Sequence, residues 1–301
     1  MRKRFLLGMA AGLLAQVFLA GCAELVQMGT AVGEEMGQIS KEDKASIDRL
    51  AAQTAKAARP MTDREEYYVG RAVAATILGQ YRLYGNDRLT SYVNEVGQAV
   101  ALASDCPFTY GGYHFAILDT NEVNALSCPG GIVFITRGML QKVNTEDEMA
   151  AILAHEVAHV NHKDGVAAIQ RSRWVEAVSI LGSETAKKLG GAELTQLVSL
   201  FQGSVDDVVK TLLINGYSRE QEREADLSAL AFLQRLGYNP YALPDYLQRL
   251  TGDETKSTGG IFATHPGMRE RVVSAGSVIS QNRWSRRDDQ ARKKRFRDLK
   301  G

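Results

Sequence analysis

The chain has 301 residues, with 36 Lys and Arg against 35 Asp and Glu, giving a net charge of +1. Hydrophobic residues make up 45% and charged residues 24%, the composition of an ordinary globular protein with one large domain or two small ones. The near-neutral balance offers no footing for nucleic acid, and neither an internal repeat nor a long low-complexity tract is visible.

The N-terminus reads as an export signal rather than as part of the fold. "MRKR" is a short basic start, "FLLGMAAGLLAQVFLA" is a 16-residue apolar run, and "LAGC" closes it at Cys22. The run is too short for a comfortable membrane span. "LAGC" resembles a bacterial lipoprotein signal, which implies removal of residues 1–21 and acyl chains on Cys22 as a membrane anchor. Ala23 in the second mature position is expected to favour the outer membrane, facing the periplasm. Residues 22–40 then read as a tether. Export also permits oxidation, so Cys106 and Cys128 are candidates for a disulfide.

Helical patterning begins near Lys41 and stops before Pro60. A second helix follows Thr62, an N-cap candidate with Glu65 three residues on. A third covers about 87–103. Strand signals cluster in "YHFAILD" (113–119), "EVNALS" (122–127) and "GIVFIT" (131–136), with turns at Asp119, Asn121 and Pro129-Gly130-Gly131. "TEDEMAAILAHEVAHVNHK" opens with Thr145 and Glu148 as a capping box, and its apolar stripe includes Met149, Ile152, Leu153, Val157 and Val160. Helical segments follow at about 166–188 and 193–214, then from Ser218 to Leu236 with a stop at Gly237. Pro240 suits the first turn of the next helix, and a last one starts near Pro266. The class is α+β, mostly helical, in a single domain over 41–280. Residues 281–301 form a basic tail, with eight Arg and Lys between 283 and 297 against two Asp. It reads as a solvated tail or as a contact for anionic lipid headgroups.

Three of the five histidines fall within "AAILAHEVAHVNHKDG". On a helix His155 and His159 share one face and can reach one ion, while Glu156 can face a water bound to it. This is H-E-x-x-H, two zinc ligands and a general base on one helical turn. Zinc needs a further protein ligand. His162 follows at H-x-x-H spacing but lies near the helix end and reads as solvent-facing or as a support for a ligand. Gly165 occupies the position where a metzincin would place its third histidine. "SREQEREADLSAL" offers Glu220, Glu222 and Glu224. At about 100° per residue, Glu220 and Glu224 share one face, with Arg219 and Arg223 near enough to pair with them. Glu222 lies on the opposite side with Ala225, Asp226 and Ala229, where small residues suit close helix packing.

From about Thr62 to Val273 the chain resembles the HtpX-like and prenyl-protein-protease-like zinc metallopeptidases, in their secreted lipoprotein branch. Their S-R-x-x-E-x-x-A-D is matched by Ser218 to Asp226. The resemblance implies Glu222 as the third zinc ligand and Asp226 as a carboxylate that orients a ligand histidine. Thr264-His265-Pro266 matches the family's T-H-P, which implies that His265 binds the oxyanion. "VNALSCPGGIVFITRGML" matches its N-A-x-x-x-P-G-G segment and the following G-L-L, with Met139 in place of Leu. An edge strand beside the metal implies substrate contacts at Asn124 and Ala125 or along 131–136. The resemblance implies a zincin-type fold with a small sheet beside the H-E-x-x-H helix. The expected function is that of a lipid-anchored zinc endopeptidase acting on misfolded or mislocalised envelope proteins. A binding or chaperone-like module on the same fold is the competing class, but such a relative is expected to lose the base or a ligand, and all are present. An exopeptidase would need a group that captures a free terminus, and no motif supplies one.

Overall fold

The computed structural model describes residues 60–169, 201–251 and 260–300, with a few residues between 40 and 47. The signal segment, the tether, most of the helix expected over 41–58 and the stretch 170–200 lie outside the described residues. The chain divides into two compact units, and every element below belongs to the unit formed by Asp63–Ile169 and Gly191–Gly301.

Helix α1 runs Asp63–Gln80 and α2 runs Asp87–Ala103. Asn86 caps α2, its side chain accepting from Leu89 N at 3.0 Å. Strands β1 (His114–Leu118), β2 (Ala125–Cys128) and β3 (Ile132–Thr136) form one sheet in the order β1-β3-β2. β1 and β3 are parallel, while β2 and β3 form an antiparallel hairpin. Gly130 and Gly131 close that hairpin at φ +77° and +103°, which side chains other than glycine rarely adopt. Gly70 lets α1 approach the turn, since a Cβ there would stand 1.7 Å from the Pro129 carbonyl oxygen. Alternation along the strands sends Ala125, Val133 and Ile135 into the main core, and Leu126 and Phe134 to the other face, where α1 packs.

After the short α3 (Arg137–Lys142) comes α4 (Glu146–His162), the central helix. The sequence suggests one apolar stripe, yet α4 is buried on all sides from Glu146 to Val160. Ala150, Ala151, Ala154 and Ala158 let its neighbours approach closely. Its expected capping box forms by half. The Thr145 hydroxyl accepts from Glu148 N at 3.2 Å, but the Glu148 carboxylate accepts from Asn144 N at 2.8 Å and pairs with Arg249 at 2.6 Å.

Next come α5 (Asp164–Ala167), α6 (Gln202–Lys210) and a π-helical turn, Thr211–Asn215. Helix α7 (Arg219–Leu236) opens on a complete capping box between Ser218 and Gln221 and stops at the left-handed Gly237. Pro240 lies in a turn ahead of α8 (Ala242–Thr251), not in its first turn. Helices α9 (Ile261–Thr264), α10 (Met268–Gln281) and α11 (Gln290–Lys300) complete the chain. α2, α7, α8, α11 and β2 all pack against α4. No helix among the described residues is long and apolar enough to cross a membrane.

The C-terminal segment is not a solvated tail. Phe296 of α11 is 1% exposed within the main core. Arg295 binds the buried Glu146 carboxylate at 2.7 Å, and the Tyr92 and Tyr238 hydroxyls donate to the same group. Arg286 and Arg292 pair with Asp245 and Asp147. The positive charge expected to meet lipid is therefore partly spent on the start of α4. Phe296→Ala should lower unfolding stability by about 3–5 kcal/mol, the usual cost of removing a buried ring. Urea denaturation reads this directly, and an unchanged midpoint would show that α11 is dispensable.

Candidate active site

Helical spacing brings the His155 and His159 rings together, with Nε2 atoms 3.1 Å apart. α7 crosses α4 with Ala225 and Ala229 buried, which brings Glu222 to the same point. Glu222 Oε2 lies 3.3 Å from His155 Nε2, and Oε1 lies 3.4 Å from His159 Nε2. His265, which follows α9, completes the group, with Nδ1 3.0 Å from Glu222 Oε1 and 3.3 Å from His155 Nε2. One donor atom from each of the four residues lies within 4.8 Å of the others. All four are buried, at 5% exposure or less.

Such crowding of imidazole and carboxylate has a simple reason. Zinc–nitrogen bonds of about 2.0–2.1 Å in a tetrahedron put ligand atoms roughly 3.3 Å apart. The observed separations of 3.0–3.4 Å fit that spacing. His155, His159 and Glu222 could hold one zinc ion, with His265 beside them.

Each α4 histidine is oriented through its other ring nitrogen. Asp226 Oδ1 lies 2.9 Å from His155 Nδ1, and Asp164 Oδ2 lies 2.7 Å from His159 Nδ1. Asp164 is held in turn by Gln221 Nε2 at 2.9 Å. Arg271 of α10, 5% exposed, donates to both Asp226 oxygens at 2.8 Å and reaches Glu222 Oε2 at 2.6 Å. Burial alone would raise the Glu222 carboxyl. The facing His265 and Arg271 charges outweigh it and hold Glu222 well below the usual carboxylate range. Burial is likewise outweighed at Asp226, chiefly by Arg271, and at His159, where Asp164 and Glu222 draw the imidazole upward.

Glu156 is 2% exposed, and its Oε1 stands 3.7 Å from His265 Nε2. Its Oε2 has no hydrogen-bond partner among the described residues.

Several expectations need correction. The polar groups of Asn124, expected at the substrate, are engaged within the protein. Asn124 Oδ1 accepts from Thr264 Oγ1 and from Ala125 N, while its own main-chain N–H and C=O are both bonded to Thr136. Asn124 thus ties β2 to the residue before His265, and Ala125 is fully buried in the core. Cys106 and Cys128 are both free, one exposed and the other buried. Arg223 pairs with Glu220 at the surface as expected, but Arg219 reaches across to Glu270 of α10 at 2.6 Å. His162 lies outside the donor group, 3.0 Å from Ser228 Oγ.

Asp164 and Arg271 are not apparent from motif reading. Arg271 had a signal. Met268, Arg271, Ala275 and Ile279 are the buried residues of α10, at spacings of three and four, so an arginine occupies its apolar stripe. Asp164 had none, because the chain reaches it through Lys163 in a left-handed conformation, φ 59°, unusual for a residue other than glycine.

Residues 87–278, well over half of the chain, match the model of Peptidase family M48. The chain belongs to family M48. M48 is a family of zinc metallopeptidases, and that metal suits the donor group just described. The Beta-barrel assembly-enhancing protease of Escherichia coli K12 is 28% identical over 258 residues, 82% of this chain and 50% of that protein. A Protease HtpX homolog of Nitrosomonas europaea is 31% identical over 54% of this chain and 64% of its own length. The Mitochondrial metalloendopeptidase OMA1 of Arabidopsis thaliana is 27% identical over 60% of this chain and 35% of its own. The chain spans about half the length of the first of these relatives.

Proposed function

We propose that this M48 peptidase is a zinc endopeptidase, held on the periplasmic face of the outer membrane by acyl chains on Cys22, that hydrolyses peptide bonds in misfolded or mislocalised envelope proteins. The observation that carries the reading is the buried donor group His155, His159, Glu222 and His265 with the unpartnered Glu156 carboxylate beside it. The lipoprotein-type start at Cys22 and the likeness to a protease named for β-barrel assembly support the location and the substrate class.

His155, His159 and Glu222 would hold the zinc and leave a position open, and the ion would supply Lewis acidity to a peptide carbonyl and to water. Glu156 takes the proton of the attacking water and delivers it to the departing amine. His265, whose Nε2 faces Glu156, donates to the carbonyl oxygen as it gains negative charge. Asp226 and Asp164 keep the two α4 imidazoles aimed at the ion, and Arg271 fixes both Asp226 and Glu222.

The test compares three glutamates of one helix. Glu222→Ala should lose zinc and casein cleavage together. Glu220→Ala and Glu224→Ala, at the surface, should keep both, with cleavage abolished by a chelator and restored by zinc. Metal analysis of purified mature protein decides it. Zinc retained by Glu222→Ala and lost by Glu224→Ala would overturn the assignment.

A further inference from the structure

Two more polar atoms at the site are buried without a hydrogen-bond partner among the described residues, Tyr217 OH and Ser127 Oγ. Native folds leave few such atoms, because an unpaired buried hydroxyl forfeits its bonds to water. Glu156 Oε2, in the same condition, is explained by the proton it must accept. The two hydroxyls need another reason.

Tyr217 precedes the N-cap of α7, and its N–H donates to Thr264 O at 3.1 Å. Its ring lies along the His159 imidazole, with centroids 4.1 Å apart and planes 24° apart, and 6.1 Å from the His265 ring. Ser127 belongs to β2, the edge strand that packs on α4. The Ser127 hydroxyl lies close to that of Tyr217, near enough for weak pairing but outside good hydrogen-bond geometry. The ring needs no hydroxyl in order to stack on His159. A phenylalanine would pack equally well and leave nothing unpaired.

We propose that the Tyr217 and Ser127 hydroxyls form a polar subsite that selects a substrate side chain carrying a neutral hydrogen-bonding group, a hydroxyl or a carboxamide, beside the scissile bond. This rests on the metallopeptidase reading. The pair adjoins His159 and Glu156, so a group seated there belongs to a residue flanking the bond under attack. An aliphatic side chain would bury both hydroxyls unpaired, which a site built for a hydrogen bond penalises heavily. An acidic one would meet the Glu156 carboxylate at close range.

The experiment uses the full mature protein and matched peptides that differ at one flanking residue, Ser, Thr or Asn against Ala, Val or Leu. Cleavage is measured for the wild type, Tyr217→Phe, Ser127→Ala and the double variant. Peptide affinity is measured on a Glu156→Gln background with the same substitutions, together with zinc content and the thermal midpoint. Wild type should favour polar over aliphatic peptides by at least about tenfold in kcat/KM and in affinity. The double variant should bring the two classes to within about twofold, with zinc retained and the midpoint equal or higher, since removing an unpaired buried hydroxyl relieves a penalty. A preference that survives the double variant overturns the subsite. So does an equal loss for every peptide, which would mean a main-chain contact, or a lowered midpoint for Tyr217→Phe, which would mean a structural hydroxyl. If zinc-loaded wild type cleaves nothing, the peptidase reading fails, and the affinity comparison still decides the subsite.

Discussion

Glu156→Gln should keep its zinc and lose two to four orders of magnitude of turnover, about 3–5 kcal/mol of barrier. The side chain is buried on the central helix, so an amide of nearly the same shape fits without disturbing α4. What changes is chemistry alone, because an amide cannot accept the proton of the attacking water. Glu156 is not one of the four clustered donors, so metal content should be untouched. The paired measurement is zinc stoichiometry and single-turnover cleavage. Retained zinc with more than about a tenth of the wild-type rate would remove Glu156 from the role of base.

Arg271→Leu should cost about 3–5 kcal/mol of folding stability at neutral pH. Arg271 neutralises two carboxylates at once, Asp226 through two bonds and Glu222 through one close contact, all in the interior. Leucine leaves both charges buried without their cation. The sign with pH follows from the depressed Asp226 carboxyl. A group ionised more readily in the fold than in the unfolded chain adds stability that is full above its unfolded value, near 4, and is lost as pH falls through the folded one. Without Arg271 the Asp226 carboxyl should rise, so the acid limb of unfolding moves to higher pH. Arg271→Lys keeps the charge, gives up the forked geometry and should fall between. Urea unfolding at several pH values checks both, and a loss under about 1 kcal/mol would show that the arginine is not needed to balance these charges.

How much of this could be read from the chain depends on distance along it. His155, Glu156 and His159 are legible because helical spacing converts a four-residue interval into one face. Glu222 is legible because Ala225, Asp226 and Ala229 mark the inner side of α7. The sheet is legible because β-branched runs flank a Pro-Gly-Gly turn. Asp164 is not, since an unsignalled left-handed lysine decides where it points. Asn124 carries the right motif, but its bonds to Thr136 and Thr264 come from segments 12 and 140 residues away. The basic C-terminus looks like a solvated strip because its partners, Glu146 and Asp147, are read as ordinary first-turn acids of another helix.

The donor group also has an order in time. Glu222 and His265 follow His159 by 63 and 106 residues, and the clasp of α11 on the start of α4 comes from beyond residue 289. A nascent or truncated chain that ends before residue 222 carries H-E-x-x-H but only two of the four donors, with the orienting Asp226 and Arg271 still missing. A chain that has not yet folded therefore has no assembled donor group. The four donors meet only once α7 and the segment after α9 have docked on α4.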